Sequence, residues 1–556
     1  MAEQQTQGYN MATFIRQKAA ETPHKRAVVV PSSRNQYGRV AYTQITFKQL
    51  EEDSNRFARG LNRIGIGRGT KTVLMITPGI EFFIAFMALC KVGATLVMID
   101  PGIGMKSLKT CINETKPEAF IGVSKAHAAR VLMRWAPESI KIRVTLGPRL
   151  FWGGHKFYDL LGNDASPYEI QMLPRDEMAA LMFTSGSTGI AKGAVYTHGI
   201  LCSQVQFIQE TYGFTPEDVD LATFPLFALF DVCLGMTAII PDMDATKPAK
   251  ADPRKLIEAI NDNGATSMFG SPALIDTLSR WGVENSVTLG SLRLVLSCGA
   301  PARNDILQRF HRMLPENCEI FTPYGATEAL PVSSIGSRMI LGETAAITDN
   351  GGGTCVGYPN PHVQVKIIKI SDEPITQWND DLVVTVGEIG EIVAKGPIVT
   401  REYYCRPENT MLAKIAEGDE VWHRMGDLGR IDEQGRIWFC GRKSHRVVGD
   451  NQVWFSVPCE RVFNQHSHVF RTALSGIGKK GHQVPVICVE LEKNVAEVNT
   501  EKLITELVQI GSKHPHTAAI KHFLIHPGFP VDIRHNAKIT REALSEWATE
   551  KLKGRI

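Results

Sequence analysis

The chain contains 556 residues, which is more than a single hydrophobic core usually supports, so we expect two or more domains. Hydrophobic residues make up 43% and charged residues 21%, a balance that is typical of globular proteins and excludes a disordered chain. The formal net charge is +3, and lysine and arginine are spread along the chain, which argues against nucleic acid as the main partner.

The eleven cysteines form no CxxC pair and no metal-ligand spacing, so we expect reduced thiols and a cytoplasmic protein. The N-terminal residues show no basic stretch followed by an apolar one, and no signal peptide is expected. The apolar stretch Phe82–Cys90 is too short to span a bilayer, and Phe224–Ile240 is interrupted by Pro225 and Asp231. We therefore expect no transmembrane segment and leave peripheral membrane attachment open.

Helices and strands alternate from the beginning of the chain. Thr46 followed by Gln49 has the spacing of a capping box and predicts the start of a helix. Thr72–Ile76 is typical of a buried strand, Phe82–Lys91 of a helix, and Ala94–Ile99 of a second buried strand. Repeated units of this kind predict an α/β fold with a largely parallel sheet covered by helices.

The alternation returns further along, at Leu256–Ile260, Ser267–Phe269 and Leu292–Leu296. From about residue 363 shorter strands and turns take over, which predicts a small β-rich subdomain. Beyond Gly441 the pattern favours a compact α+β module. We therefore predict a large N-terminal domain, residues 1–441, and a small C-terminal domain, residues 442–556, with the boundary at the basic turn 441–444.

The segment Thr184–Gly193 carries the clearest chemical signal. It holds four hydroxyl side chains (Thr184, Ser185, Ser187, Thr188), three glycines (Gly186, Gly189, Gly193) and one lysine (Lys192). Glycines let backbone N–H groups approach phosphate oxygens, hydroxyls add donors, and the lysine adds a mobile positive charge. A surface linker is the alternative, but a linker needs no lysine, and this segment directly follows the strand-like run Ala179–Phe183. The pattern predicts a polyphosphate-binding loop, although not a Walker A loop, because glycine follows the lysine.

This loop resembles the phosphate-binding loop of the adenylate-forming superfamily, which includes acyl-CoA synthetases, luciferases and the adenylation domains of peptide synthetases. Further segments resemble the family's motifs in the family's order, namely Ser297–Pro301, Tyr324–Glu328, His423–Asp427 and Gly441–Arg442. The resemblance covers nearly the whole chain. It implies an enzyme that uses ATP and Mg²⁺ to activate a carboxylic acid as its acyl-adenylate.

The resemblance also implies a role for each matching residue. Tyr324 would stack on adenine, Asp427 would accept both ribose hydroxyls, and Glu328 would hold Mg²⁺ together with Thr188 through the phosphates. Lys538 would neutralise charge as the carboxylate attacks the α-phosphate. The implied catalytic residues are Lys538, Glu328, Thr188 and Lys192. The implied ATP-binding residues are Thr184, Ser185, Gly186, Ser187, Thr188, Gly189, Lys192, Gly299, Ala300, Pro301, Tyr324, Gly325, Ala326, Thr327, Glu328, Asp427, Arg442 and Lys538.

The same resemblance implies that the C-terminal domain is a mobile lid, which presents Lys538 and then rearranges about a hinge near Ser444. Two positions depart from the family pattern. The family usually has glycine before the lysine, and Ala537 stands here. The hinge position usually holds aspartate or lysine, and serine stands here.

Other departures concern the acceptor of the acyl group. Many CoA ligases have histidine where Ala228 follows Pro225-Leu-Phe, and the loop 447–454, which in CoA ligases helps to form the pantetheine tunnel, is altered. These changes argue against thioester formation. The segments 463–476 and 529–538 instead resemble the β-lactone synthetases of bacterial long-chain olefin biosynthesis. That resemblance implies that a 2-alkyl-3-hydroxyalkanoic acid is adenylated and that its own 3-hydroxyl displaces AMP to close a β-lactone.

Several points stay open at the level of sequence. Phe224, Phe227 and Ala228 could line an acyl pocket, and a buried core strand is the equal alternative. His445 and His535 are candidates for the group that accepts the hydroxyl proton. The alternative functions are a long-chain fatty acyl-CoA ligase, a fatty-acyl-AMP ligase and a degenerate nucleotide sensor. A complex with other olefin-pathway enzymes is also left open.

Overall fold

The computed structural model describes residues 8–184, 191–492, 498–531 and 539–554. In chain order the α-helices are α1 Ala12–Glu21, α2 Phe47–Arg63, α3 Ile80–Lys91, α4 Met105–Thr115, α5 Ser124–Leu132, α6 His198–Tyr212, α7 Ala228–Leu234, α8 Pro253–Asn263, α9 Pro272–Glu284, α10 Asn304–His311, α11 Ser337–Met339, α12 Ala345–Asp349, α13 Pro407–Ala413, α14 Ser456–Phe463, α15 Thr500–Ser512 and α16 Arg541–Leu552.

The strands are, in chain order, β1 Arg26–Arg34, β2 Val40–Thr46, β3 Lys71–Met75, β4 Thr95–Ile99, β5 Ala119–Val123, β6 Ile142–Leu146, β7 His155–Lys156, β8 Met178–Thr184, β9 Lys192–Thr197, β10 Val219–Ala222, β11 Thr237–Ile239, β12 Ser267–Gly270, β13 Leu294–Ser297, β14 Glu319–Ala326, β15 Ala329–Gly336, β16 Thr354–Pro359, β17 Gln364–Ile368, β18 Gly390–Lys395, β19 Lys414–Glu417, β20 Glu420–Ile431, β21 Ile437–Arg442, β22 Val447–Val448, β23 Val453–Trp454, β24 Val469–Ile477, β25 Val484–Leu491 and β26 His522–Ile525.

The first sheet has the order β7-β6-β5-β3-β4-β8-β9, and its neighbours are parallel except for the antiparallel pair β8–β9. Helix α3 is buried along its length from Phe82 to Lys91, which explains why its sequence is apolar on every side. Helix α2 begins with the predicted capping box, in which the Thr46 side chain accepts from the Gln49 backbone and the Gln49 side chain accepts from the Thr46 backbone.

The second sheet joins a parallel half to an antiparallel half. Strands β11, β10, β12, β13 and β14 are parallel neighbours in that order, and β15, β16, β21, β20, β18 and β17 continue the sheet in antiparallel fashion. The reversal comes at the hairpin β14–β15. The motif segments 297–301 and 324–328 both lie at the carboxyl ends of strands here, which is the edge where α/β sheets bind ligands.

The C-terminal portion is smaller and has its own core. Strands β24 and β25 are antiparallel, β26 adds in parallel, and α14, α15 and α16 accompany them. Helices and strands are therefore mixed in this portion, as expected for the α+β module predicted beyond Gly441. The α/β architecture predicted from the sequence is confirmed.

One strand alternative is wrong. Residues 224–229 do not form the buried core strand that was the alternative to an acyl pocket. They form a turn that leads into α7, with main-chain hydrogen bonds of the helical kind. Within the described ranges, no helix combines the length and apolarity needed to cross a membrane.

Candidate active site

Tyr324, Asp427 and Arg442 form one bonded cluster although more than a hundred residues separate the first from the others. Asp427 and Arg442 are register partners on β20 and β21. The Tyr324 hydroxyl donates to Asp427 Oδ2 over 2.8 Å, and Arg442 Nη1 lies 2.9 Å from Asp427 Oδ1. The second sheet therefore brings together the residues predicted to contact adenine and ribose.

The electrostatics of this cluster favour a hydrogen-bond acceptor. Burial raises the pKa of Asp427, and the adjacent Arg442 guanidinium opposes that rise. Burial and the nearby Asp427 carboxylate raise the pKa of Tyr324, so its hydroxyl stays protonated. Among the described residues, no donor is aligned for a hydrogen bond to the buried Asp427 Oδ1, despite the 2.9 Å ion pair with Arg442. A buried carboxylate oxygen in this state is suited to accept a ribose hydroxyl.

Glu328 lies in a second cluster, centred on Tyr403. The Tyr403 hydroxyl donates to Glu328 Oε1 over 2.6 Å, and Lys192 Nζ lies 5.2 Å from the centre of the Tyr403 ring. The Tyr404 N–H donates to the Gly193 carbonyl over 2.8 Å, so the chain after the phosphate loop is bonded to the chain around Tyr403. The predicted phosphate-loop lysine and the predicted magnesium ligand are therefore both brought to Tyr403, the lysine at the ring and the glutamate at the hydroxyl.

A residue earlier in the chain also bonds to the motif 324–328. The Tyr196 hydroxyl donates to the Thr327 carbonyl over 2.5 Å. At Gly325, a Cβ atom would lie 2.6 Å from the Ala329 carbonyl oxygen, so glycine is needed for the close hairpin. Ala326 pairs with Ala329 across that hairpin. These contacts fix the loop that carries Glu328.

Lys414 is a buried lysine beside this cluster that the sequence did not single out. Its Nζ donates to the Thr400 carbonyl and, over 3.2 Å, to Thr400 Oγ1, and it lies 6.0 Å from the centre of the Tyr403 ring. Burial lowers the pKa of Lys414 to about 7, and the attraction of Glu328 only partly offsets this effect. Lys414 forms no ion pair with a carboxylate in the part of the chain that the structure describes.

The position of Lys414 follows from strand pairing. It begins β19 and faces His423 on β20, and the Thr400 N–H donates to the Glu328 carbonyl over 2.9 Å. The one signal in the sequence is a lysine directly after a helix, which is more often a solvated residue. A buried cation beside Glu328 therefore emerges only from the tertiary structure.

Some predicted residues lie outside the described part of the chain. These are Ser185, Gly186, Ser187, Thr188, Gly189, His535 and Lys538, and of Thr184 only the backbone is described. Gly299, Ala300 and Pro301 directly follow β13, the neighbour of the strand that carries Tyr324, and Gly299 has a φ of +98°. Those three residues therefore lie at the same edge of the sheet as Tyr324.

Phe224 and Phe227 form an aromatic cluster with Phe269 of β12. Their ring centres lie 5.8 and 4.7 Å from that of Phe269, and Phe224 is 39% exposed. Ala228 is fully buried at the start of α7. The two phenylalanines can offer apolar surface to an acyl chain, whereas Ala228 packs inside.

Two buried carboxyl groups lie next to each other where α7 packs on β10. Asp231 of α7 and Asp220 of β10 are both buried, and Ser267 donates to Asp220 over 2.6 Å. Burial and the neighbouring Asp220 raise the pKa of Asp231 well above its ordinary value, and burial raises that of Asp220 to about 6. The raised pKa favours the protonated form of Asp231, and a protonated carboxyl group can donate a hydrogen bond to its neighbour between helix and strand.

The candidate proton acceptor His445 lies in the turn 443–445. Burial, with the nearby Arg541 and Arg442 guanidinium groups, lowers its pKa to about 3. Such an imidazole is neutral near pH 7 but a weak base. His445 therefore has the right protonation state to accept a proton and little driving force to do so.

The sequence profile of the AMP-binding enzymes matches residues 15–404. The chain belongs to the AMP-binding enzyme family. It is thus an AMP-forming ligase, and enzymes of this family use ATP. It is 44% identical to the olefin beta-lactone synthetase of Xanthomonas campestris pv. campestris over 549 residues, which cover 98% of each chain. It is also 44% identical to the olefin beta-lactone synthetase of Stenotrophomonas maltophilia over 555 residues, covering 98% of this chain and 99% of the relative.

Solved structures of AMP-binding enzymes share the fold. The amide bond synthetase McbA from Marinactinospora thermotolerans has a TM-score of 0.78 at 19% identity, covering 97% of this chain and 99% of that one. The o-succinylbenzoate coenzyme A synthetase MenE from Bacillus subtilis, solved with ATP and magnesium ion, has a TM-score of 0.73 at 20% identity, covering 96% and 98%. At these identities the likeness establishes the fold.

Proposed function

We propose that this chain is an ATP-dependent β-lactone synthetase of long-chain olefin biosynthesis. Its substrate is a 2-alkyl-3-hydroxyalkanoic acid, and its products are a β-lactone, AMP and pyrophosphate. The observation that carries the proposal is the 44% identity to two olefin beta-lactone synthetases over 98% of this chain. The bonded clusters around Asp427 and Glu328 support it, because they supply a polar site for a nucleotide.

In the first half-reaction, a carboxylate oxygen of the acid attacks the α-phosphorus of ATP, and pyrophosphate leaves. Tyr324 offers its ring face to adenine and Asp427 accepts the ribose hydroxyls, while Lys192 contributes charge at the phosphates. Glu328 supplies a carboxylate oxygen, the ligand type that Mg²⁺ prefers, and Mg²⁺ would neutralise phosphate charge there together with Thr188. The Tyr403 hydroxyl orients Glu328 for this role.

In the second half-reaction, the 3-hydroxyl oxygen attacks the acyl carbon of the adenylate. A new C–O bond closes the four-membered ring, the bond between the acyl carbon and the phosphate oxygen breaks, and AMP leaves with that oxygen as the hydroxyl proton is released. The nucleophile is already attached to the activated carbonyl, so no second substrate is needed. The apolar surface of Phe224 and Phe227 would hold the alkyl chains and keep water from the adenylate.

We further propose that residues 442–556 form a mobile lid that turns about a hinge near Ser444 and presents Lys538. Ion pairs that join a residue before this turn to residues after it support this idea. Arg446 and Lys480 lie 2.6 and 2.7 Å from Asp372. Burial opposes them, but their hydrogen bonds hold the pKa of Asp372 at about 2. Charged contacts near the surface can break and re-form at low cost, which suits a moving boundary.

Two wider proposals concern the setting of the enzyme. Its long-chain substrate and product have low solubility in water, which favours peripheral attachment to a membrane. It also favours a complex with the other olefin-pathway enzymes, in which such a product passes directly to the next enzyme.

The dependence on CoA tests the proposed function. The purified chain is incubated with ATP, Mg²⁺ and either a 2-alkyl-3-hydroxy acid or the matched acid without the hydroxyl, each with and without CoA. We expect sustained AMP release from the hydroxy acid in the absence of CoA, and a single turnover at most from the acid that lacks the hydroxyl. Sustained AMP release that requires CoA with both acids would instead identify a fatty acyl-CoA ligase.

A further inference from the structure

One segment departs from the even distribution of charge along the chain. Residues 124–156 contain seven lysines and arginines and a single acidic residue, Glu138. None of the seven basic side chains forms an ion pair with a carboxylate in the described part of the chain. This segment runs from α5 to the edge strand β7 of the first sheet. It therefore presents an unneutralised positive surface on a protein whose total net charge is only +3.

Two arginines of this segment converge on Phe120. Arg143 on β6 is the register partner of Phe120 on β5, and partners in neighbouring strands face the same side of a sheet. The Arg130 guanidinium carbon lies 5.9 Å from the centre of the Phe120 ring. Arg130 is only 7% exposed, and the Nε atoms of both arginines are buried without a hydrogen-bond partner among the described residues.

Two further unpartnered donors belong to the same segment. Trp135 lies 6.5 Å from Phe120, and its buried Nε1–H has no partner in the described structure. The Ser139 hydroxyl, four residues after Trp135, is also buried without a hydrogen-bond partner in the described structure. A buried guanidinium without a counter-charge is costly, and a phosphate that accepts from two arginines and neighbouring N–H or O–H groups removes that cost. The donor set is therefore that of a phosphate site.

Large apolar side chains are exposed on the same segment. Leu132 of α5, on the opposite face of that helix from the buried Arg130, is 78% exposed, and Phe151 in the loop before β7 is 80% exposed. The loop is tied to the helix, because Trp152 stacks on His127 of α5 with ring centres 5.5 Å apart. Large exposed apolar side chains on a segment rich in unpaired positive charge are typical of protein surfaces that insert into the interface of an anionic membrane.

We propose that this surface docks the protein onto an anionic phospholipid membrane. The exposed basic side chains of the segment attract the anionic surface, the partly exposed Arg143 binds a lipid phosphate, and Leu132 and Phe151 enter the lipid layer. The inference gives a specific surface to the peripheral attachment proposed above. Its test needs neither ATP nor substrate, so its outcome is independent of the lactone-forming activity.

The test measures co-sedimentation of the full chain with vesicles of phosphatidylcholine that contain 30% phosphatidylglycerol, compared with vesicles of pure phosphatidylcholine. We expect binding to the anionic vesicles only. We expect Arg143→Gln to weaken it about fivefold, the loss of one basic contact at an anionic surface. Leu132→Ser and Phe151→Ser should each weaken binding about tenfold, because each removes an apolar side chain that the lipid layer would bury. Two substitutions on other parts of the surface, Arg312→Gln and Tyr37→Ser, serve as matched controls and should leave binding unchanged.

Three outcomes would overturn the proposal. The first is equal binding to neutral and anionic vesicles, or to neither. The second is an Arg143→Gln effect no larger than that of the Arg312→Gln control. The third concerns inorganic phosphate, which is titrated in a thermal unfolding assay. If phosphate raises the melting temperature of the wild type but not that of Arg143→Gln, and the vesicles are not bound, then the site takes a free phosphate rather than a lipid.

Discussion

Replacing Lys414 by methionine tests how the buried amine affects the stability of the folded chain. The pKa of this amine falls from 10.5 to about 7 because the side chain is buried. Since each pKa unit corresponds to about 1.4 kcal/mol, protonating the amine in the folded chain costs about 5 kcal/mol more than in the unfolded chain. Methionine removes that cost, but it leaves the Thr400 carbonyl without its donor, a loss of about 1–3 kcal/mol. At pH 7 we therefore expect Lys414→Met to be more stable by about 2–4 kcal/mol.

The pH dependence of this difference is the sharper prediction. A lysine whose folded pKa is lowered binds fewer protons in the folded state than in the unfolded state between pH 7 and 10.5, so the wild type gains stability as the pH rises through that window. The advantage of Lys414→Met should therefore shrink by about 2 kcal/mol between pH 7 and 9, because the folded amine is still half protonated at pH 7. The measurement is urea unfolding at both pH values, in which the midpoints of the two proteins converge or cross.

Lys91→Met is the matched control. Lys91 is also buried, which lowers its pKa to about 8, but its Nζ lies 2.7 Å from Glu51 Oε2 and also donates to Ser54 and Asn55. Removing it leaves a carboxylate without its partner, so this variant should be less stable than the wild type at pH 7. A difference between Lys414→Met and the wild type that does not change with pH would refute the reasoning, because it would mean that the amine titrates as in water.

Three further substitutions test the site. Tyr403→Phe removes the hydrogen bond to Glu328, so it should lower the rate of ATP–pyrophosphate exchange about tenfold and raise the Mg²⁺ concentration needed for half-maximal exchange. Asp427→Ala removes two charge-assisted hydrogen bonds to ribose, so it should raise the KM for ATP about a hundredfold. Asp231→Asn concerns the pH dependence of stability. Because the folded pKa of Asp231 is raised, the wild type binds extra protons and loses stability as the pH rises from about 4 towards neutrality; the variant should show a shallower slope in pH-dependent thermal unfolding.

Each of these expectations has an outcome that contradicts it. Exchange by Tyr403→Phe at the wild-type rate and Mg²⁺ dependence would remove the tyrosine from the site. An unchanged KM for ATP in Asp427→Ala would place the ribose elsewhere. Parallel stability profiles for Asp231→Asn and the wild type would show that the carboxyl pair ionises normally in the folded protein.

Local patterns were enough to predict much of the fold. The capping box at Thr46 and Gln49 and the alternation of strands and helices depend on spacings within a few residues. The apolar helix α3 was also clear, because a helix buried on all sides has no polar face. The boundaries shifted by one to three residues, because the ends of helices and strands fray.

The structure brings together three of the residues that the ordered motifs named. Tyr324, Asp427 and Arg442 are joined directly by hydrogen bonds and an ion pair. The contacts around that site could not be predicted from the sequence. Lys414 reaches Thr400, and Asp231 reaches Asp220, only after strands and helices from distant parts of the sequence have packed. No spacing rule links such pairs, since their proximity is set by sheet order rather than by the local chain.

The fate of oxygen atoms tests the central claim most directly. A 2-alkyl-3-hydroxy acid whose carboxylate carries ¹⁸O at both oxygens is incubated with the protein, ATP and Mg²⁺ without CoA, and the products are weighed by mass spectrometry. If the carboxylate is adenylated and the 3-hydroxyl then displaces AMP, one ¹⁸O appears in AMP and one in a product that has lost the elements of one water. Unlabelled AMP with both ¹⁸O atoms retained in the product would contradict an acyl-adenylate, and recovery of the open-chain acid alone would contradict lactone formation.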